Sequence, residues 1–391
     1  MTPPPRSPRS PRLRPSPTVL ALLTLVVGPV LWLACATAPP AAIAPQPPTP
    51  AAAPKSAEPS ELDAYTLPLQ PEWTDPYRHS DLKSDVRFFR IGKIMRDFSL
   101  SRFEAIEVQN HYRDLTAEGH DGPSAWRMAI AEVRAGHLGS GVDLAKLRQA
   151  PFIVVYDLDE TLYQVGYSSG ARGPAWRDYG FDNRGKPSFA KLRSGWEQAI
   201  ARVHALGGLV MLFTARSDDV AESAVKDWTL NGKNIRQVVD GFLTKSHLVM
   251  QAKEDGFPII TPSKDLRMFD ENLERVIIVD DNPMRIVQHH RQRLVKKFQA
   301  DPYLTARQAG ATAKDSPLIA SFDQTLLTVT AEVEESVGYL QQHPGISFAG
   351  AYLPYTMLGQ VALSALQSAG LRLEDSRKYI RDNPSYVDSA F

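Results

Sequence analysis

Three apolar runs in this chain do not alternate, and they narrow its possible folds more than any other feature. They are residues 151–156 (PFIVVY), 208–213 (GLVMLF) and 275–279 (RVIIV). A strand with one wet face alternates apolar and polar residues. A short run without alternation suits a strand buried on both faces, as in a parallel sheet. Between the first two runs, Leu192, Trp196, Ile200, Val203 and Leu206 fall at helical spacing and are stopped by Gly207 and Gly208. After the second run, Ser217 is expected to cap a helix whose first turn holds Asp218 and Asp219, where the helix dipole favours acids. Strand, helix, strand, helix predicts the α/β class: a doubly wound parallel sheet over residues 150–305, with helical segments on either side.

The flanking segments differ in kind. In residues 61–149, Trp126, Ala129, Ile130 and Val133 follow Pro123 at helical spacing and end at Gly136, so this part reads as a helical preface with Trp126 in its core. Residues 306–391 open with Ser316 as a cap and Pro317 at the first helical position, followed by Phe322, Leu326, Val329, Val333, Val337 and Leu340 on one face. Residues 36–60 are mostly Ala and Pro, and 16 of the 31 prolines fall before residue 60. Such a stretch has too little to bury to offset its ordering entropy, and is expected to be a stiff tether.

The first 35 residues are set apart by charge. Arg6, Arg9, Arg12 and Arg14 precede an apolar run from Thr18 to Ala34, which is broken by Gly28 and Pro29 and followed by Cys35. A basic region and a short apolar stretch read as an export signal. Ala34-Cys35 resembles the cleavage box of bacterial lipoproteins, although Trp32 and Leu33 depart from its usual pattern. On that resemblance Cys35 is lipidated, the signal is residues 1–35, and the protein is a membrane-anchored envelope lipoprotein facing the periplasm. The absence of Asp after the cysteine (Ala36 stands there) favours the outer membrane. Retention as a membrane anchor, a cleaved soluble product and a start downstream of the signal are the alternatives. As the only cysteine, Cys35 permits no intrachain disulfide. The whole chain balances 44 basic against 44 acidic residues, and without its first 34 residues it holds 40 against 44. It therefore has no global basic field for nucleic acid.

Each apolar run ends in a polar cluster. The first leads into Asp157-Leu158-Asp159-Glu160-Thr161, the second into Thr214-Ala215-Arg216, and the third into Asp280-Asp281-Asn282-Pro283, with Lys264 16 residues before Asp280. In a parallel sheet these strand ends share one edge, where ligands bind. The set contains what phosphoryl transfer needs. One carboxylate can attack phosphorus, and a second can pass a proton to the leaving oxygen and later activate water. A hydroxyl and an ammonium can hold the phosphoryl oxygens, and a hard cation such as magnesium can screen the repulsion between two anions.

These residues resemble the haloacid-dehalogenase (HAD) superfamily of phosphohydrolases over about residues 151–300. Its D-x-D-x-T motif is matched by Asp157, Asp159 and Thr161, its second motif by Thr214, its lysine by Lys264, and its acidic pair by Asp280 and Asp281. The resemblance implies a Rossmann-like core in which Asp157 is the nucleophile and Asp159 the general acid/base. Thr214 and Lys264 bind phosphate. Magnesium is held by Asp157, the Asp159 backbone carbonyl and the pair Asp280–Asp281, with Asp281 the more direct ligand. Within the superfamily, D-L-D-E-T-L and V-I-I-V-D-D-N-P are similar to the phosphatases of the RNA polymerase II C-terminal domain and their small relatives. The motif behind an export signal is similar to bacterial class C acid phosphatases.

The implied activity is magnesium-dependent hydrolysis of a phosphorylated small molecule or phosphoprotein. A cytoplasmic phosphoprotein phosphatase and a non-catalytic phosphate-binding module are the rival readings. Lys245 competes with Lys264 for the ammonium role. Arg216 can reach substrate or form a structural salt bridge. His289 and His290 are adjacent and face apart on a helix, and the nine histidines show no zinc spacing. Residues 163–186, rich in Gly, aromatics and Arg, fall where HAD proteins insert a cap or flap.

Overall fold

The computed structural model describes residues 61–67, 88–167, 177–250 and 262–388. The signal, the tether and Cys35 lie outside them. Among the described residues no helix is long and apolar enough to cross a membrane. Residues 56–357 form one compact unit and Leu358–Phe391 belong to another.

The first unit opens with four helices: α1 (Ile91–Phe98), α2 (Arg102–Ala117), α3 (Gly122–Arg134) and α4 (Leu144–Gln149). Ser101 and Glu104 form a reciprocal capping box on α2, and the Asp121 carboxylate accepts from Ser124 N at the start of α3. Trp126 is in the core, stacked on Phe89 at 5.5 Å and on Tyr65 at 5.0 Å.

The sheet follows. Strand β1 (Ile153–Tyr156) leads to a separate antiparallel flap of β2 (Tyr163–Tyr167), β3 (Tyr179–Asn183) and β4 (Lys186–Leu192), in the order β2-β4-β3. Then come α5 (Trp196–Ala205), β5 (Leu209–Phe213), α6 (Asp218–Lys226), a short ribbon β6 (Thr229–Leu230) and β7 (Lys233–Asn234), α7 (Ile235–Val238) and β8 (Gly241–Leu243). Strands β9 (Val276–Asp280) and β10 (Gln292–Leu294) complete a five-stranded sheet of order β10-β9-β1-β5-β8, parallel throughout. Helices α8 (Ala300–Gln308), α9 (Pro317–Gln342) and α10 (Phe348–Tyr352) close the unit. The Ser316 hydroxyl caps α9 by accepting from Ile319 N, and Pro317 opens the helix.

The expected α/β sheet is thus present, and each buried strand feeds both sides of it. Val154, Tyr156, Val210, Leu212, Ile277 and Val279 enter one core, with Ala199, Ile200 and Val203 of α5, Val220 and Ala224 of α6, and Leu326, Val329 and Val333 of α9. Ile153, Val155, Met211, Phe213, Val276 and Ile278 enter the other, with Phe103 and Ile106 of α2 and Trp126 and Ala129 of α3. The crossovers β1-α5-β5 and β5-α6-β8 run in one direction, so right-handed connection puts both helices on one face. The return from β8 to β9 crosses the other face, contributing Leu266, Met268 and Phe269 to its core. Helices α2 and α3 cover the rest of that face. The preface is therefore a layer of the same core, and residues 149–150 mark no break in packing.

Two local features differ from expectation. Ser217 occupies the cap position of α6 but makes no side-chain hydrogen bond to the helix. Its hydroxyl instead helps hold Asp219, whose carboxyl is brought down to about 2, chiefly by the Arg184 guanidinium. His289 and His290 lie on a single 3-10 turn rather than a longer helix.

In the second unit, Leu373–Asp382 and Ser385–Asp388 are helical, and Tyr379 meets Tyr386 edge-on at 5.7 Å.

Helix α2 buries a carboxylate against the sheet side. Glu107 Oε2 accepts from Gly139 N at 3.0 Å and Oε1 from Ser140 N at 3.3 Å, with His247 Nε2 3.5 Å from Oε1. His247 Nδ1 accepts from Thr244 N, which leaves Nε2 to carry the proton toward Glu107. Gly139 suits this approach, because a Cβ there would stand 2.7 Å from Asn110 Nδ2 and would require that side chain to shift. Burial pushes Glu107 up, but the His247 hydrogen bond and the other donors outweigh it and bring the carboxyl from an ordinary 4.5 down to about 2. A depressed folded pKa contributes stability above the unfolded value and loses it as the pH falls through the folded one. The contribution is about 3 kcal/mol at neutral pH. Glu107→Gln should therefore lower unfolding stability most at pH 7, with the gap to wild type closing as the pH approaches 2 in denaturant titrations.

Candidate active site

Strand β1 lies where the chain direction across the sheet reverses: β5 and β8 extend from one side of it, β9 and β10 from the other. Ligands bind outside the strand ends at such a switch point. Asp157 is the residue just beyond β1. Its backbone N donates to Val279 O at 2.9 Å, which ties it to the neighbouring strand β9 that ends at Asp280.

The structure brings four sequence-distant segments together here. Lys264 Nζ donates to Asp157 Oδ1 at 2.6 Å and to Asp280 Oδ2 at 2.7 Å. Lys264 and Asp280 are each 1% exposed and Asp157 is 6% exposed. Lys264 is pinned by its backbone, donating from N to Arg285 O and accepting at O from Val287 N. Lys245 instead lies on the 3-10 turn Lys245–His247 and is not among the residues lining the cavity, whereas Lys264 is. One ammonium faces two buried carboxylates. Burial opposes the Lys264 charge, but Asp157 and Asp280 together hold its pKa above the ordinary lysine value. Asp157 is pushed well up, by burial first and, against the pull of Lys264, by the charges on Asp280 and Asp159.

Asp281 is positioned by the threonine of the D-x-D-x-T motif. Thr161 Oγ1 donates to Asp281 Oδ1 at 3.2 Å and accepts from Asp281 N at 3.1 Å. The Thr161 carbonyl in turn accepts from Arg193 Nη1 at 3.2 Å. Arg193 is buried against the rings of Phe298 and Phe322, each 5.6 Å from its guanidinium carbon, and burial brings it down to about 10. Burial, and then the charge on Asp280, raises Asp281 to about 6.

Asp159 faces Thr214 and Arg216. Thr214 Oγ1 donates to Asp159 Oδ2 at 3.1 Å and accepts from Arg216 N at 3.0 Å. The Arg216 guanidinium grips both carboxylate oxygens, with Nε 3.1 Å from Oδ2 and Nη2 on Oδ1. The sequence left Arg216 open between a substrate contact and a salt bridge, and here it forms the salt bridge.

The cavity over these groups measures about 450 Å³ and is lined by Asp157, Asp159, Arg216, Lys264, Asp280 and Asp281, with Arg184 and Arg285 on other walls. Arg184 comes from the flap. It occupies the two-residue turn between β3 and β4 with Gly185; both have positive φ, 53° and 78°, the signature of a type I′ hairpin. Its guanidinium pairs with Asp219 of α6, tying the flap tip to the core. The turn signal Asn183-Arg184-Gly185 was readable in the sequence; the place of Arg184 in the cavity wall was not.

Among the described residues, Asp157, Asp280 and Asp281 are the acids able to offer oxygens within 4.8 Å of one another. An all-oxygen donor set with excess buried negative charge fits a hard divalent cation. Without Lys264, the carboxylates of Asp157 and Asp280 would face each other uncompensated in the core. Lys264→Met should therefore destabilise the protein by about 3–5 kcal/mol, read as a fall in the denaturant midpoint at neutral pH.

Comparison with known proteins agrees with this chemistry. Residues 152–303 match the family described as NLI interacting factor-like phosphatase. A variant of the fission yeast RNA polymerase II CTD phosphatase Fcp1 bound to beryllium fluoride is similar at 12% identity, over 54% of this chain and 72% of that one, with a TM-score of 0.34. A structure of Fcp1 described as an essential RNA polymerase II CTD phosphatase is similar at 14% identity, over 63% of this chain and 68% of that one, with a TM-score of 0.30. No curated protein matches the chain. Residues 152–303 thus resemble the NLI interacting factor-like phosphatases, and that match supports a phosphatase of the HAD type.

Proposed function

We propose that this protein hydrolyses phosphomonoesters through an aspartyl-phosphate on Asp157, with magnesium as cofactor. The observation that carries the reading is the pairing at the switch point: buried Asp157 held by Lys264, with Asp159 two residues on and Asp281 beside it. Asp157 Oδ attacks phosphorus while the bond to the leaving oxygen breaks, and Asp159 gives that oxygen a proton. Water then attacks the aspartyl-phosphate, losing its proton to Asp159, and inorganic phosphate departs. Thr214 and Lys264 hold phosphoryl oxygens as charge shifts onto them.

Asp157, Asp281 and the Asp159 carbonyl would hold magnesium. Asp280 has both oxygens engaged, Oδ2 by Lys264 and Oδ1 by Asn282 N at 2.7 Å, and so acts by its charge and through Lys264. When bound, the ion supplies positive charge against the phosphoryl oxygens. The substrate is a phosphorylated small molecule or phosphoprotein.

Asp157→Asn should abolish turnover of p-nitrophenyl phosphate, and beryllofluoride should trap the wild type at Asp157. EDTA should stop turnover, magnesium restore it and calcium support it poorly, because calcium takes looser, higher coordination. Appreciable Asp157→Asn activity, or full activity after dialysis against EDTA, contradicts the mechanism.

We further propose that the domain is exported and held at the bacterial envelope, facing the periplasm, by a lipid on Cys35. This rests on the basic-then-apolar segment before Cys35 and the proline-rich stretch after it. Cys35→Ser should leave the phosphatase active but release it from the membrane fraction or leave the signal uncleaved. Fractionation of the wild type wholly with cytosol rules the anchor out.

A further inference from the structure

Asp159 is held in a way that conflicts with its part in the proposed reaction. Its two oxygens fill the fork of the Arg216 guanidinium, and Oδ2 also accepts from Thr214. A carboxylate engaged in this way is turned toward its own ion pair and not toward a leaving group. The reaction needs that grip to be given up, and the only new anion it brings into the cavity is the substrate's phosphoryl group.

Arg216 is placed to make the exchange. Its backbone is fixed at both ends: N donates to Thr214 Oγ1 at 3.0 Å, and O accepts from Lys245 N at 3.0 Å. Rotation of the side chain alone therefore moves the guanidinium within the cavity that Asp157 and Lys264 also line. A phosphoryl group presents two oxygens to the same planar fork that now holds a carboxylate. The surroundings are not fully satisfied in the present arrangement. Among the described residues the buried hydroxyls of Tyr163 and Tyr179 have no hydrogen-bond partner, and both feel the charges of Asp159 and Arg216.

We propose that Arg216 is a substrate-phosphate ligand that leaves Asp159 for the phosphoryl oxygens, so that seating the phosphate is what releases the acid/base carboxylate. This rests on the phosphatase reading above and adds a residue that the D-x-D-x-T, threonine, lysine and acidic-pair motifs do not contain.

Inorganic phosphate is the probe, measured as a competitive inhibitor of p-nitrophenyl phosphate hydrolysis and by calorimetry, at constant magnesium. Arg216→Gln should weaken phosphate binding about 10- to 100-fold, the worth of one or two hydrogen bonds to a charged group, and raise KM by a similar factor. Arg216→Lys, which keeps the charge but loses the fork, should fall between. Asp159→Asn, which removes the competitor for Arg216, should bind phosphate more tightly than wild type, and this gain should vanish when Arg216→Gln is added. Phosphate affinity unchanged by Arg216→Gln, while wild-type turnover still depends on Asp157, overturns the assignment of Arg216 alone and leaves it a brace for Asp159. If Arg216→Gln does not fold, Asp159→Asn decides by calorimetry, and unchanged or weaker phosphate binding there overturns the exchange. Absence of turnover in the wild type, or full activity in Asp157→Asn, overturns the phosphatase reading and the exchange with it.

Discussion

The ammonium of Lys264, buried between Asp157 and Asp280, is the contact on which the site depends. Removing these three charges from water is expensive and is tolerated only where their geometry is fixed. The geometry is fixed by backbone pairing. Asp157 follows β1, Asp280 ends β9, and the two strands are hydrogen-bonded in parallel register from Ile153–Val276 to Tyr156–Val279. Lys264 arrives on the return from β8 to β9 and is held by backbone bonds to Arg285 and Val287. Burial first, and then the excess of negative charge in the cluster, raise both Asp157 and Asp281 above the ordinary carboxylate range.

A rigid edge needs a sheet covered on both faces, and the chain covers them by different means. One face takes the crossover helices α5 and α6 and the long α9. On the other face the return connection supplies only short elements, and α2 and α3 complete the layer. Helix α2 also reaches the loop after β8. Gln109 and Arg113 of α2 donate to Ser246 O at 3.0 and 2.7 Å, while the Ser246 and Thr244 hydroxyls bond to Asp218 at the start of α6. The preface thus packs under the loop after β8, whose Lys245 N donates to Arg216 O, and α9 reaches the first motif through Arg193, whose Nη2 donates to Thr325 Oγ1 at 2.9 Å.

The flap contributes in a third way. It is built between the first motif and α5, so its base and its tip both meet the site. The base meets it through Arg193 N, which donates to Leu162 O at 2.8 Å, and the tip through the Arg184–Asp219 pair. A three-stranded antiparallel piece this small has little core of its own, and these ties fix its position over the cavity.

The sequence by itself determined the three central strands, the sheet type and the segments that meet at its edge, because each is a local pattern: an apolar run of four to six residues, or a polar cluster directly after it. It also revealed the α9 cap at Ser316, a signal spanning two residues. Only the tertiary structure decided which lysine faces Asp157, since Lys264 and its partner are 107 positions apart and Lys245 was as plausible on spacing. It likewise decided that Arg216 grips Asp159, 57 positions away, that Thr161 holds Asp281 across 120, and that the preface is a layer of the sheet's own core. Periodicity reports which face of an element is buried but not what is buried against it. That depends on the order of strands and the hand of their connections, which the whole chain settles together.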